Sequence, residues 1–369
     1  MFRLIWQKKI ALVFVVLLVL TLPVAITRPA EMLSKSIITT VGIEKQGDTY
    51  VVTGEVVVNQ FNEFGGKFIE IISGEGENLN QAFNAISRTR GRTVSLAHCS
   101  LIILGSGLEE ENIAHLLTFL LHRTEINNSC SLLWTDTDME TLLTLSKESA
   151  DNRTNHLQQI AEFNRRNQFG APATLQNFYK DYLRLSKTSL IPTVTIEDEL
   201  IHNPNEVAVF TEGILKFKLL DEQTQALKFL QRHTIRHQIT IPDIDADGKT
   251  LQATVEIQKK RARIRTRVES GIPNAKIRCR VRLKIVDIAD KENPHAFLDL
   301  KSTDVPAEQI AKAFDQYVIG GLTDALSTIV AHNADFMQFS DRFWQMHRHY
   351  EPITEHLIVD FDVKTRIVN

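Results

Sequence analysis

From Arg261 to Ile285 the chain alternates charged and uncharged residues with a period of two, interrupted once. Arg261, Arg263, Arg265 and Arg267 take every second position, and Ala262, Ile264, Thr266 and Val268 fill the gaps. After SGIPNA, Arg278, Arg280, Arg282 and Lys284 alternate with Ile277, Cys279, Val281, Leu283 and Ile285. Period two belongs to a strand, whose successive side chains point to opposite faces. The two stretches therefore predict neighbouring strands joined by a turn, with one uncharged face and one basic face. Like charges directly opposite each other in a sheet are destabilising, so the basic face needs counter-charge. Asp360 and Asp362 on the last predicted strand, or Glu256 and Asp287, can supply it from within the chain. Lipid headgroups, an envelope polymer or an acidic partner protein can supply it from outside.

Read as a string, KKRARIRTR suggests nucleic acid. The whole chain argues against that: 42 Lys and Arg face 45 Asp and Glu, for a net charge of −3 and a pI near 6.5. A nucleic-acid-binding domain is generally basic throughout.

The N-terminus bears on the compartment. Ile10 to Ile26 is an apolar run preceded by Arg3, Lys8 and Lys9. Its length is at the low end of what crosses a bilayer core, and the preceding cations favour a cytoplasmic N-terminus. Cleavage after Ala25 or Ala30 would place Pro23 or Arg28 where a small residue is wanted, and no cysteine closely follows the run. Residues 1–30 are therefore expected to be an uncleaved membrane anchor, with the bulk of the chain extracytoplasmic.

At 369 residues and 43% apolar content, the remainder is long enough for two or three domains with real cores. Strand-like runs from Ile37 lead to a helix over 77–90 with Leu79, Ala82, Phe83 and Ile86 at helical spacing. A buried strand at LAHCSLIILG and a helix over 107–123, with acidic residues in its first turn, follow. Then come a strand at SCSLLWTD and a helical stretch over 141–195, interrupted near residues 170–173. EVAVFTEGILKFKLLDEQTQALKFL reads as two short strands and a helix. After Pro242 the chain is β-rich, with a helix from Ala307 to His332 whose Ile310, Phe314, Tyr317 and Val318 form a core-facing stripe. The expected fold class is α+β: a membrane segment, then about three mixed domains, each a mostly antiparallel sheet packed with helices. The expected boundaries are 36–195, 196–245 and 246–369.

Candidate chemistry is weak. Gly105 and Gly107 lie between a strand and a helix, where a phosphate cradle would sit. A third glycine is missing, and Glu109, Glu110 and Glu111 would repel a phosphate. His347, His349 and His356 with Glu351 and Glu355 lack the spacing of a helical zinc motif. His98, at the start of a buried strand, and His122, near a helix end, read as hydrogen-bonded structural residues. No GxSxG occurs, and Asp360 with Asp362 reads as a solvated strand face rather than an acid/base pair. Cys99, Cys130 and Cys279 have no CxxC spacing; at most one disulfide can form, and buried thiols are the expectation. No catalytic, cofactor or metal residues are assigned.

Several stretches in order resemble the Ger(x)C family, the C subunits of bacterial spore germinant receptors. In SGEGENLNQAFNAISRTRGRTVSLAHCSLIILGSGLEEE, the residues Gly74, Gly76, Ala82, His98 and Gly105 fall where the family has them. FLLHRTEI at 119–126, VAVFTEGILKFKLLDEQTQALKFL, and DFMQF before the last strand are similar to family phrases. The chain departs in having no lipobox cysteine, Lys218 and Leu219 where a glycine is usual, and Gln223–Thr224 in place of an ET pair. The resemblance implies a non-catalytic subunit on the outer face of the spore inner membrane, needed for nutrient-triggered germination. Its implied partners are a transporter-like integral-membrane subunit and a second membrane subunit, with no cofactor and no nucleic acid. The alternative is a membrane-anchored extracytoplasmic adaptor that binds an anionic envelope polymer or another complex through its basic sheet face. On either reading that face is Arg261, Arg263, Arg265, Arg267, Arg278, Arg280, Arg282 and Lys284.

Overall fold

The computed structural model describes residues 35–59, 67–123, 125–148, 156–167, 172–230, 238–246, 249–290, 307–348 and 356–368. The expected anchor at 1–30 lies outside them. Among the described residues, no helix is long and apolar enough to cross a membrane.

The N-terminal sheet starts with β1 (Lys35–Gln46), β2 (Thr49–Asn59) and β3 (Lys67–Gly76), an antiparallel meander. Helix α1 (Leu79–Arg90) follows, capped by Asn78, whose side chain accepts the Gln81 amide at 3.0 Å. Leu79, Ala82, Phe83 and Ile86 all face the core, as their spacing predicts. Strands β4 (Thr93–Ser95) and β5 (Leu101–Leu104) both pair with β1, and β6 (Ser131–Trp134) pairs with β5. All three of these pairings are parallel, so this sheet is mixed rather than mostly antiparallel. Helix crossovers explain the difference, because a chain that leaves a strand through a helix can return in the same direction. One such crossover is α2 (Ile113–His122), between β5 and β6.

Sequence LIIL is buried at every position because the sheet is covered on both faces. Ile102 and Leu104 pack with the cluster that includes α1 and α2. Leu101 and Ile103 turn to the opposite cluster, with α3 (Met139–Glu148) and α4 (His156–Asn167). The expected acidic first turn of α2 is not found. Asn112 is its cap, accepting the Ala114 amide at 3.0 Å, which leaves Glu109, Glu110 and Glu111 in the preceding loop.

A second sheet joins this unit to the rest. After α5 (Leu175–Tyr182) come β7 (Thr188–Pro192), a hairpin of β8 (Thr195–Glu197) and β9 (Leu200–His202), then β10 (Val207–Thr211) and β11 (Ile214–Leu219). The sheet order is β11-β10-β7, antiparallel throughout. Phe210 of β10 meets Trp134 edge-on at 5.4 Å and Phe178 at 6.2 Å between ring centres. The β10–β11 turn also docks on α2: the Gly213 carbonyl accepts the Ile113 amide at 2.9 Å, satisfying a free helix-end donor. Gly213 has φ +82°, and a Cβ there would lie 2.2 Å from Asn112 Oδ1.

Helix α6 (Asp221–Lys228) then leads to the C-terminal sheet, β12 (Gln238–Ala246), β13 (Lys249–Glu269), β14 (Ile272–Asp290) and β15 (Ile358–Ile367), in that order. β12, β13 and β14 are antiparallel, whereas β15 joins β14 in parallel. Helices α7 (Ala307–His332) and α8 (Phe339–His347) intervene. Ile310, Phe314, Val318, Leu322, Ala325 and Ile329 of α7 cover the inner face of the sheet. Tyr317 is only half-buried, its hydroxyl 3.4 Å from Gln225 Oε1 of α6. The buried Asp335 carboxylate starts α8 by accepting the Phe339 and Ser340 amides at 2.9 and 2.7 Å. Asp341, one turn on, accepts the Leu185 and Ser186 amides at 3.2 and 3.3 Å, tying α8 to the segment before β7.

Two outcomes follow from these junctions. Gly213→Ala is expected to lower stability by about 1–3 kcal/mol in denaturant unfolding, from left-handed backbone strain and the Asn112 clash. Burial pushes the Asp335 carboxyl up to about 6 from an ordinary value of 3.8. The folded chain thus holds that proton more tightly than the unfolded chain, so its contribution to stability is full below the ordinary value and is lost as pH rises through about 6. Asp335→Asn is expected to flatten the stability–pH curve between about pH 4 and 6; an unchanged slope would contradict the assignment.

Candidate anion-binding face

The basic face depends on one irregularity. Along β13, Ala253, Val255 and Ile257 point into the core. The register then skips from Ile257↔Leu283 to Lys259↔Arg282, a bulge at Gln258. An extra residue in one strand reverses which side chains face inward. Beyond it Lys260, Ala262, Ile264, Thr266 and Val268 turn inward, and Arg261, Arg263, Arg265 and Arg267 turn out into solvent. On β14, Ala275, Ile277, Cys279, Val281 and Leu283 are buried, and Arg278, Arg280, Arg282 and Lys284 are exposed.

All eight predicted residues therefore share one exposed face. Arg261 lies opposite Arg280, Arg263 opposite Arg278, and Arg265 opposite Lys276. Arg267 lies opposite Asn274, Arg282 opposite Lys259, and Lys284 opposite Glu256. Of the candidate counter-charges, Asp360 and Asp362 take the role, because parallel pairing sets them beside Lys276 and Arg278. Asp362 Oδ1 and Oδ2 accept from both terminal nitrogens of Arg280, at 3.1 and 3.0 Å. Its Oδ2 is also 3.4 Å from Arg278 Nε. The Arg280 hydrogen bonds hold the Asp362 carboxyl below the usual carboxylate range. Asp360 pairs with Lys276, and Arg267 lies 3.9 Å from Glu269. Asp287 sits opposite Thr254, away from the arginines.

Arg261, Arg263, Arg265 and Arg282 meet no carboxylate among the described residues. Arg261, Arg263, Arg265, Arg278 and Arg280 line a shallow cleft of about 210 Å³. Charge, donor number and shape there suit an anion with several oxygens, since guanidinium forks match carboxylate and phosphate groups.

Lys260 is the cation of this run that shares its phase with Ala262 and Ile264 rather than with the arginines. The bulge turns it inward, where it donates to the Lys228 carbonyl and lies 6.0 Å from the Phe229 ring centre. Burial brings its ammonium down to about 8.

The other candidate sites resolve into structural roles. In the 105–111 loop, the Gly105 amide is used by the Ile43 carbonyl at 2.8 Å. The Lys45 carbonyl fills the space a side chain at Gly107 would need, and Glu111 pairs with Lys45. His347 ends α8 with Nε2 3.0 Å from the Thr266 carbonyl. His349, Glu351 and Glu355 lie outside the described residues, and among those described no group of three His, Cys, Asp or Glu could hold a metal. His122 is exposed, with Nδ1 2.8 Å from the Thr118 carbonyl. His98 is exposed in the turn before β5, rather than part of a buried strand.

Residues 30–196 match the spore germination protein N-terminal domain, and residues 205–369 match the family described as spore germination B3/GerAC like, C-terminal. The fold is similar to the crystal structure of the GerBC protein, with a TM-score of 0.55 at 16% identity, covering 89% of this chain and 97% of that one. No match was found among curated proteins. The two matched domains follow one another in order over nearly all of the chain, which belongs to the Ger(x)C family of spore germination proteins.

Proposed function

We propose that this chain is a non-catalytic, extracytoplasmic subunit of a membrane-bound germinant receptor, needed for nutrient-triggered spore germination. The observation that carries this reading is the ordered match of both germination domains across residues 30–196 and 205–369. The apolar run from Ile10 to Ile26, with Arg3, Lys8 and Lys9 before it, supports an N-terminal anchor that leaves the folded part outside the cytoplasm. In place of a lipid on an N-terminal cysteine, the apolar run itself would hold the chain at the membrane. The expected partners are a transporter-like integral-membrane subunit and a second membrane subunit.

The exposed arginines favour a specific mode of assembly. A face with several cations and few local carboxylates attracts an acidic surface over about a Debye length, roughly 8–10 Å at physiological salt. We place the docking surface at Arg261, Arg263, Arg265, Arg267, Arg278, Arg280, Arg282 and Lys284. An anionic envelope polymer on the same face is the second reading, favoured by the cleft between Arg261, Arg263, Arg265, Arg278 and Arg280.

Deleting the coding sequence is expected to abolish or strongly slow germination in nutrient while leaving sporulation intact; normal nutrient germination would contradict the role. Replacing Arg261, Arg263 and Arg265 with Gln is expected to weaken co-purification with the membrane subunits. It should also flatten the salt dependence of that co-purification. These three residues carry no described ion pair, so the fold should survive, which circular dichroism and thermal unfolding can check. Unchanged, salt-insensitive association would remove the face from the assembly.

A further inference from the structure

We propose that Cys99 and Cys130 form a dithiol pair that closes to an intramolecular disulfide under oxidising conditions. Their Sγ atoms are 3.8 Å apart, and both thiols are buried in the core beneath α1 and α2. The backbone brings them together. Leu101 of β5 pairs with Ser131 of β6, so the cysteines stand two residues and one residue ahead of aligned positions on adjacent strands. The Ser131 amide donates to the Ser100 carbonyl at 2.9 Å, extending that pairing toward both thiols. Each cysteine's backbone is pinned as well: the Cys99 amide donates to the Leu96 carbonyl at 3.0 Å, and the Cys130 carbonyl accepts the Leu175 amide at 2.9 Å. The two sulfurs have only to close from 3.8 Å to the roughly 2.05 Å of a disulfide bond. Rotation about side-chain bonds then suffices to close the gap.

Cys279 is an internal control. It is buried in the other core, facing the Phe229 carbonyl, and belongs to a separate cluster. The hydrogen-bonded contact with Cys99, and then burial, raise the Cys130 thiol far above its ordinary value, so it keeps its proton in the closed fold. Exchange requires a thiolate. Oxidation therefore belongs to folding, or to opening of the loops before β5 and β6, rather than to the closed state. With oxidised glutathione as the oxidant, one cysteine thiolate attacks the glutathione disulfide and releases one glutathione. The second cysteine thiolate then attacks the protein sulfur of the mixed disulfide and displaces the other. Two protein thiols and one oxidised glutathione thus become one protein disulfide and two reduced glutathiones. The bond would span 31 residues of sequence and staple the β5–α2–β6 crossover.

The inference does not rest on the function proposed above. Its test is to refold the purified full-length chain in a glutathione redox buffer, alkylate free thiols, and map peptides by mass. The expected result is a Cys99–Cys130 linkage with Cys279 alkylated, and a thermal midpoint several degrees higher than in the reduced chain. Cys99→Ser and Cys130→Ser should each abolish the linkage and the shift, whereas Cys279→Ser should leave both. Wild-type peptides with both Cys99 and Cys130 alkylated would overturn the proposal, as would linkages that involve Cys279 equally often. That map needs no variant, so a variant that fails to fold does not blunt it.

Discussion

The C-terminal half of this protein is organised by the inward packing of one face of a long two-stranded ribbon. Ile277, Cys279, Val281 and Leu283 of β14 pack against α7 with almost no exposure. Because strand side chains alternate, burying that row forces Arg278, Arg280, Arg282 and Lys284 outward. The bulge at Gln258 brings β13 into the same phase, so its arginines stand beside those of β14 rather than under them. The basic face is thus a consequence of core formation. Its like-charge pairs remain tolerable because guanidiniums in solvent are well screened. The carboxylates of β15 add modest relief: exposed ion pairs are worth roughly 0–1 kcal/mol, so Asp362 orients Arg278 and Arg280 more than it holds the sheet.

The remaining architecture carries that face on a jointed but continuous body. The β11-β10-β7 sheet touches both larger units. On one side Phe210 meets Trp134, and the Gly213 turn closes the start of α2. On the other, the Phe217 ring lies 4.4 Å from that of His332 and 6.3 Å from that of Phe336. Gln223 of α6 donates to Thr328 of α7 at 3.1 Å, and Asp341 grips the backbone before β7. These junctions mix aromatic packing with charged hydrogen bonds whose acceptors are themselves partly buried.

Much of the fold was legible because local periodicity and tertiary burial agree. The stripe of Ile310, Phe314 and Val318 specified the long helix, and alternating arginines specified two strands with a shared face. What stayed hidden depended on pairing rather than on local pattern. Nothing in IQKK marks Gln258 as a bulge, although the alternation beyond it already puts Lys260 in phase with the uncharged row of Ala262 and Ile264. The parallel pairings of β4, β5, β6 and β15 arise from crossovers between distant segments. Glu109, Glu110 and Glu111 looked like a helix start, yet Asn112 alone has the geometry to cap α2. The meeting of Cys99 and Cys130 likewise follows from β5–β6 register and from no sequence spacing.

On the proposed function, residues 1–30 hold a folded, basic-faced body at a membrane, and the location of the chain tests this most directly. Dormant spores would be fractionated and probed for the chain at full mass, before and after a high-salt wash and with protease added to intact and opened inner-membrane vesicles. Full-length chain that stays in the inner membrane after salt, and whose folded part is cut only from the outer side, is the predicted result. Chain found only in the envelope of growing cells, or released from the spore membrane by salt alone, would contradict it.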